Sequence, residues 1–503
     1  MRTLLFALFG FAMTLLNVRP VAAAKEPPAA SLAFTSPDPI VKQALRLVEA
    51  GQFKAAEDLL AENSKSASAD ALRARSETAD IIRRIRYEYS LTAEALLAKV
   101  QKTIADASAS EVERWAKASQ ARFRMIDGTK FYFRREPQNI FIFSKEAQQR
   151  RAKAGKAPAE PKWKLTDHLR AVVEEAERTG KEEVQPMHHK FTHSLTIPAN
   201  SPGVNPGSTV RVWLPYPQEY RQQRDVRLIT ASPEPKLIAP SAVEGNPVGG
   251  GPQRTIYFEQ KVTDPAKPIE FKITFEYTSF AYYPKLDDAK VQPLPADWNG
   301  ACLEERLPHL AFTPEIRKQV ATIVGKETNP LVKARKIFRW VSEQVPWNAE
   351  DEYCIIPSFA VKGFTARRGD CGVQNSVFVT MCRIAGVPAR WQSGYETKLD
   401  NWGMHDWAEI YIAPWGWLPA DASYGVQKSS DPRIADFYCG HQDSYRLIVN
   451  LDWGRELLPP KSSLRSEPAD FQRGEVEVDG KNLYFDQWEY SSDVERTPMN
   501  RPE

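Results

Sequence analysis

The most informative stretch of the sequence spans residues 369–390 and reads GDCGVQNSVFVTMCRIAGVPAR. Its apolar residues recur at helical spacing and predict one helical face: Val373, Val377, Met381 and Ile384. Gly386 and Pro388 follow in the order that usually ends a helix. The pattern therefore predicts a helix with Cys371 at or just before its first turn.

A cysteine at a helix start has a specific chemical environment. Unpaired backbone N–H groups and the positive end of the helix dipole stabilise a thiolate there, which predicts a reactive Cys371. The flanking glycines would let a substrate carbonyl approach the backbone, and an N–H group at Gly372 is the candidate oxyanion donor. The alternative is an inert buried cysteine, which is the commonest state of a free thiol.

A second informative region predicts a β-hairpin. Residues 404–412, MHDWAEIYI, alternate in the way expected of a strand, and a Pro-Trp-Gly turn follows. The chain returns through residues 417–421, so His405 and Asp421 can approach each other. A tight turn centred at 414–415 would instead pair Ala408 with Asp421, and the register stays open at this point.

Cys371, His405 and Asp421 together supply the groups that nucleophilic catalysis by a thiol requires. The thiol is the nucleophile, the imidazole accepts its proton, and the carboxylate orients the imidazole. We therefore predict these three residues as the catalytic set.

The same residues carry a family resemblance, which covers roughly residues 330–430. Four ordered motifs resemble the core of the transglutaminase-like superfamily: Gly369-Asp370-Cys371-Gly372, residues 381–390, residues 405–411 and residues 415–421. The resemblance implies a papain-like α+β fold, in which Cys371 lies on a helix packed against a sheet that carries His405 and Asp421.

The resemblance also has implications for the cleft and for metals. Family members place an aromatic side chain near the oxyanion, and Trp347 is a candidate counterpart. Trp407 is a further candidate for the substrate cleft. Animal members use calcium, but the sequence has no D-x-D-x-D-G loop. We therefore expect no metal and no cofactor.

The pattern along the chain predicts an α+β multidomain protein. Alternating apolar residues at 210–214 and 271–277 indicate an antiparallel β-sandwich, and Asp127-Gly128 indicates a β-hairpin. Residues 145–185, rich in Lys, Glu, Ala and Arg, indicate a solvated helical linker. The predicted regions are a signal peptide (1–24), a flexible leader (25–37), a mostly helical N-terminal region (38–185), the β-sandwich (188–285), the transglutaminase-like catalytic domain (300–450) and a C-terminal β-containing tail (451–503).

Composition and the N-terminus limit the location and the partners. The 503 residues contain 67 Lys and Arg against 64 Asp and Glu, and this balance gives no general attraction to nucleic acid. Arg2, an apolar run at 4–16 and the small residues 22–24 read as a secretory signal. We therefore expect an exported protein, periplasmic or extracellular, with no stable membrane insertion after signal cleavage.

Cysteine usage adds one prediction about covalent structure. Four of the five cysteines remain when Cys371 is set aside, and disulfides persist in exported proteins. Cys302 and Cys354 lie in loop-like surroundings and are the predicted disulfide pair, whereas Cys382 falls within the predicted helix.

These observations predict an exported thiol enzyme that acts on amide bonds of protein or peptide substrates through an acyl-enzyme at Cys371. If water accepts the acyl group, the protein is a peptidase or amidase. If a lysine amine accepts it, the protein is a protein-glutamine acyltransferase. The alternative is a non-catalytic peptide- or glycan-binding or assembly module on a transglutaminase-like scaffold.

Overall fold

The computed structural model describes residues 32–62, 67–158, 163–242, 251–399 and 402–499. The predicted signal peptide and the leader up to residue 31 lie outside the described residues. Within the described ranges, no helix combines the length and the apolar character needed to cross a membrane.

The N-terminal part of the chain is mostly helical, as predicted. A small sheet with strand order β1-β3-β2 lies among these helices, and Asp127-Gly128 forms the turn of its hairpin. The elements are α1 (Leu32–Thr35), α2 (Pro39–Glu49), α3 (Phe53–Glu62), α4 (Ala69–Glu88), β1 (Tyr89–Leu91), α5 (Ala93–Gln101), α6 (Ala109–Ala118), β2 (Phe123–Ile126), β3 (Thr129–Phe133), α7 (Glu136–Phe143), α8 (Lys145–Lys153) and α9 (Leu165–Thr179).

Helix α9 corrects the prediction of a solvated linker. Leu169, Val172 and Val173 are fully or almost fully buried and belong to the same core as the helix that carries Cys371. Their spacing places them on one face of α9, so the charged residues of this segment occupy only its outer face. Helix α8 matches the prediction better, since Ala147 is its one buried residue.

The middle of the chain forms the predicted antiparallel β-structure, and the C-terminal strands complete it. One sheet has the order β15-β14-β5-β8-β7 and the other β16-β4-β9-β6. The strands are β4 (Glu183–Ile197), β5 (Thr209–Pro215), β6 (Gln223–Ser232), β7 (Leu237–Ile238), β8 (Thr255–Lys261), β9 (Ile269–Tyr282), β14 (Glu475–Val478), β15 (Lys481–Leu483) and β16 (Glu489–Pro498).

The segment after residue 450 is therefore part of this β-structure rather than a tail beside it. Val476 pairs with Val212 in one sheet, and Val494 pairs with Phe191 in the other. All four side chains lie in the shared core. Strand edges expose unpaired N–H and C=O groups, and the C-terminal strands satisfy those groups along β5 and β4.

The remaining elements form an α+β unit, which confirms the predicted fold class. Helix α13 packs against α11, α12 and the strands β10 and β11, and the sheet order is β12-β11-β10-β13. The elements are α10 (Pro314–Val324), α11 (Pro330–Gln344), α12 (Phe359–Ala366), α13 (Cys371–Ile384), β10 (Ala389–Thr397), β11 (Trp402–Ile412), β12 (Gly416–Ala420), α14 (Pro432–Ala435) and β13 (Arg446–Asn450).

Candidate active site

Helix α13 begins at Cys371, as predicted. Asp370 is its N-cap, and one carboxylate oxygen accepts a hydrogen bond of 3.1 Å from the N–H of Val373. A Cβ on Gly372 would lie 2.0 Å from the hydroxyl oxygen of Tyr353 and 2.6 Å from the ring of Trp391. Glycine at 372 is therefore required for space, which the sequence did not reveal.

The hairpin of β11 and β12 brings His405 to Asp421. Ile412 pairs with Gly416 and Ala408 with Ala420, so the register differs by one residue from the alternative weighed for a tight turn. Asp421 follows the last residue of β12, and its Oδ2 atom lies 2.7 Å from Nε2 of His405. The predicted imidazole and carboxylate are thus hydrogen bonded.

Asp421 is held by a buried cation and two backbone donors. Arg446 lies 3.0 Å from the same Oδ2 atom, and the backbone N–H groups of Ser423 and Tyr424 donate to Oδ1. Burial alone would raise the pKa of Asp421, but the charges of His405 and Arg446 and these hydrogen bonds lower it to about 2. Asp421 is therefore a carboxylate at neutral pH and holds His405 in one orientation.

The thiol of Cys371 faces a second carboxyl group. Its Sγ atom lies 3.5 Å from Oδ2 of Asp406, the residue after His405. Burial and the charges of Asp406 and Asp370 raise the pKa of Cys371 well above its ordinary value. The expectation of a thiolate stabilised by the helix start is therefore wrong for the resting site, because burial and two nearby acids outweigh the helix terminus.

Tyr353 connects these two acids. Its hydroxyl lies 3.0 Å from Oδ1 of Asp370 and 2.9 Å from Oδ2 of Asp406. Burial, together with the charges of Glu350 and Asp406, raises the pKa of Asp370 to about 8. Burial also raises the pKa of Asp406, to about 6. The thiol is thus next to a chain of buried acidic groups that Tyr353 links by hydrogen bonds.

Asn375 fixes the backbone on both sides of the thiol. Its amide nitrogen donates to the carbonyl oxygens of Cys371 and Asp406, and its amide oxygen accepts from the N–H of Ala422. One side chain, one turn into α13, therefore holds the nucleophile, the strand of the histidine and the segment after Asp421 in register.

Cys371 and His405 line one cavity of about 510 Å³. Most of its walls come from outside the hairpin and α13. Arg135 from the helical region and residues 466–473 from the segment between β13 and β14 contribute to the lining. Gln472 fixes this segment, because its amide donates to the carbonyl of His405 and to Oδ1 of Asp406.

The two predicted cleft tryptophans have different positions. Trp347 lines the cavity and is 40% exposed, beside the backbone of Gly369. Trp407 is 1% exposed, donates its indole N–H to Gln392 and stacks near His405 with ring centroids 5.9 Å apart. The prediction of Trp407 as a cleft residue is therefore wrong. Trp407 shares a strand face with His405, but its ring is covered by a buried cluster that includes Tyr220, Ile448 and Leu451.

The predicted disulfide is absent, because Cys302 and Cys354 are both free thiols. Cys354 is buried beside Tyr484, with Sγ 3.3 Å from the phenol oxygen. Cys302 is partly exposed. The two cysteines belong to different packing environments, which their loop-like sequence surroundings did not reveal. Among the described residues, no group of three or more His, Cys, Asp or Glu could hold a metal ion.

Comparison with known proteins identifies the family of the central region. Residues 317–422 match the family model described as the transglutaminase-like superfamily, and this region forms a transglutaminase-like domain. An uncharacterised protein of Haemophilus influenzae is 30% identical over 141 residues; the match covers 23% of this chain and 38% of that protein. The chain thus spans well under half of that relative's length.

The solved structures that match this chain have low sequence identity to it and low TM-scores. A proposed cysteine protease from Cytophaga hutchinsonii gives a TM-score of 0.42 at 16% identity and covers 64% of this chain and 93% of its own. The periplasmic domain of TgpA from Pseudomonas aeruginosa gives a TM-score of 0.25 at 13% identity and covers 53% and 94%.

Proposed function

We propose that the transglutaminase-like domain at residues 317–422 makes this chain a thiol hydrolase that cleaves amide bonds of proteins or peptides. The observation that carries the proposal is the 2.7 Å contact between His405 and Asp421, beside the cavity that Cys371 also lines. Because Nε2 of His405 is bonded to Asp421, Nδ1 is the nitrogen left to exchange a proton with Cys371.

The raised pKa of Cys371 decides how the first step proceeds. The thiol keeps its proton until His405 accepts it, so proton transfer accompanies attack of Sγ on the substrate carbonyl. Backbone N–H groups at the start of α13 are the donors proposed for the oxyanion. The C–N bond then breaks, His405 returns its proton to the departing amine, and a thioester remains on Cys371.

Water is the proposed acceptor of the acyl group. The cavity is lined by carboxyl, guanidinium, ammonium and hydroxyl groups, with Trp347 as a large partly exposed ring. Such a lining admits water, and His405 can then remove a proton from the water that attacks the thioester. Exclusion of water, which transfer to an amine requires, has no comparable support from this lining.

We propose that this reaction takes place outside the cytoplasm, because the N-terminal sequence predicts a secretory signal. N-terminal sequencing of the protein recovered from the exported fraction tests this part of the proposal. A mature N-terminus near Lys25 supports export, and retention of Met1 in the cytoplasmic fraction contradicts it.

The reaction is tested with a glutamine-containing peptide, with and without a fluorescent primary amine, beside a Cys371→Ala control. Mass spectrometry follows each product. Peptide cleavage or deamidation that vanishes in the control supports the hydrolase. Incorporation of the amine in place of hydrolysis would contradict the hydrolase and show that the protein is an acyltransferase. If Cys371 does not react even with iodoacetamide, both enzymatic functions are contradicted and the non-catalytic binding module is supported.

A further inference from the structure

Asp470 is a buried carboxyl group that the proposed chemistry does not use. It is 5% exposed and lines the same cavity as Cys371. The guanidinium of Arg465 donates to its backbone carbonyl at 3.0 Å, which fixes the main chain at this point. Among the described residues, no side chain or backbone group forms a hydrogen bond or ion pair with the Asp470 carboxyl.

The other acids along the cavity have partners. Oε2 of Glu352 lies 2.6 Å from Arg473, and the second guanidinium edge of Arg473 binds Glu467 at 2.9 Å. Glu396 lies 3.4 Å from the ammonium of Lys398. Three further acids are also bonded, Asp351 to Lys362 and both Asp370 and Asp406 to Tyr353.

The cations of the cavity are therefore already engaged. Arg473 bridges Glu352 and Glu467, Lys398 pairs with Glu396, and Arg135 lies 3.5 Å from Glu352. Each of these cations already has a carboxylate partner, so none of them is left to pair with the carboxyl group of Asp470. Burial, with the charges of Glu467 and Asp406, accordingly raises the pKa of Asp470 above its ordinary value.

Asp470 and the nucleophile share one cavity, whose lining includes Cys371, His405 and Asp406. Within this lining, Oδ2 of Asp406 lies 3.5 Å from Sγ of Cys371. A buried carboxyl without a partner is costly, and an incoming cation would both pair with it and lower its pKa. The lining of the cavity that holds the reacting thiol thus offers a free acceptor of positive charge at Asp470.

We propose that Asp470 is a substrate subsite that binds a primary ammonium group close to the amide bond under attack. This inference rests on the proposed function, because it assigns the charge of that enzyme's substrate. Two sources present this chemistry, the free α-amino group of a peptide N-terminus and the side chain of a lysine or another diamino acid.

The subsite is tested first without any turnover. Aminoethyl methanethiosulfonate and methyl methanethiosulfonate both label thiols, but only the former carries an ammonium group. The rate ratio of the two reagents at Cys371, normalised to glutathione and followed by mass spectrometry of the Cys371 peptide, reports the local preference for a cation. We expect a ratio raised about tenfold in the wild type.

Substitution of Asp470 tests whether this residue causes the preference for the cationic reagent. Asp470→Asn should return the ratio to that of glutathione, and the exposed Asp493→Asn on β16 should keep the wild-type ratio. A wild-type ratio equal to that of glutathione overturns the subsite, and this measurement needs no variant. An elevated ratio that survives Asp470→Asn overturns the assignment to this residue.

Peptide substrates then distinguish the two sources of the ammonium group. The three arms are an N-acetylated peptide with lysine beside the scissile amide, a norleucine peptide with a free α-amino group, and the N-acetylated norleucine peptide. A fall in kcat/KM with Asp470→Asn in one charged arm alone identifies the source. Cleavage of all three at equal rates supports the hydrolase and overturns the subsite, whereas a labelling preference without cleavage supports the subsite and contradicts the hydrolase.

Discussion

The Sγ atom of Cys371 lies 3.5 Å from Oδ2 of Asp406, the residue directly after the histidine of the proposed catalytic set. This contact gives the thiol an acidic neighbour in the resting site. The nucleophile is therefore stored as a neutral thiol beside a buried carboxyl group, and it depends on His405 for activation.

Asp406→Asn should make Cys371 more acidic. The substitution removes a negative charge next to Sγ, so the pH midpoint of iodoacetamide labelling should fall by about 1–2 pH units. The pKa of Asp406 is about 6, so the difference between variant and wild type should disappear below that pH. Labelling rates from pH 5 to 11 measure the midpoint, and an unchanged midpoint would show that the Asp406 charge does not act on the thiol.

Arg446→Met should destabilise the fold. Arg446 is 2% exposed and lies 3.0 Å from Asp421 and 3.2 Å from Asp443, so its loss leaves two buried carboxylates without their cation. Removing one partner of such a buried set costs about 3–5 kcal/mol in the free energy of unfolding. Urea unfolding at pH 7 measures it, and a loss below about 1 kcal/mol would contradict a structural role for Arg446.

The matched control for this loss is Arg433→Met. Arg433 pairs with Asp431 and Glu177, but its side chain is 46% exposed and its charge is screened by solvent, so the substitution should cost far less stability than Arg446→Met. The penalty in Arg446→Met should also depend on pH. The lowered pKa of Asp421 stabilises the wild type above about pH 4, and this contribution is lost as pH falls toward 2. The difference between wild type and Arg446→Met should therefore shrink in acid.

Gly372→Ala should disrupt the site through packing. The added Cβ would fall 2.0 Å from the hydroxyl oxygen of Tyr353, so either Tyr353 or the start of α13 must move. Overpacking of this kind costs about 1–3 kcal/mol and should reduce the labelling rate of Cys371 as well. For Gly403→Ala on β11, no heavy atom of the described residues lies within 4 Å of the new Cβ, so stability should change by less than about 0.5 kcal/mol. Equal effects of the two substitutions would refute the steric role of Gly372.

The local parts of the site could be predicted from the sequence. Cys371 precedes a periodic helix, and His405 and Asp421 are on two arms of one hairpin, so short-range patterns place each of them. The register of that hairpin could not be predicted, because it depends on the length of the connection between the strands. That connection has three residues, 413–415, and contains Pro414. The burial of Trp407 could not be predicted either. Strand alternation assigns its side chain to one face, but it does not show which distant residues cover that face.

The groups that tune the site could not be predicted, because they arrive from distant segments. Arg446 reaches Asp421 from β13, Tyr353 comes from the segment before α12, and Gln472 comes from the connection between two sheets. Such contacts carry no periodicity that a single sequence displays. Asp406 is the exception, since it stands within the quoted motif and next to His405, and strand alternation gave no reason to assign it to the thiol.

The most direct test of the account is the formation of a thioester on Cys371 that depends on His405. The protein is mixed with p-nitrophenyl acetate, quenched in acid after one turnover, and digested for mass spectrometry of the Cys371 peptide. The account predicts an acetyl group on Cys371 in the wild type, none in Cys371→Ala, and formation slowed about 100-fold or more in His405→Asn. Acetylation of Cys371 at the same rate in wild type and His405→Asn, or ester turnover that persists in Cys371→Ala, would contradict it.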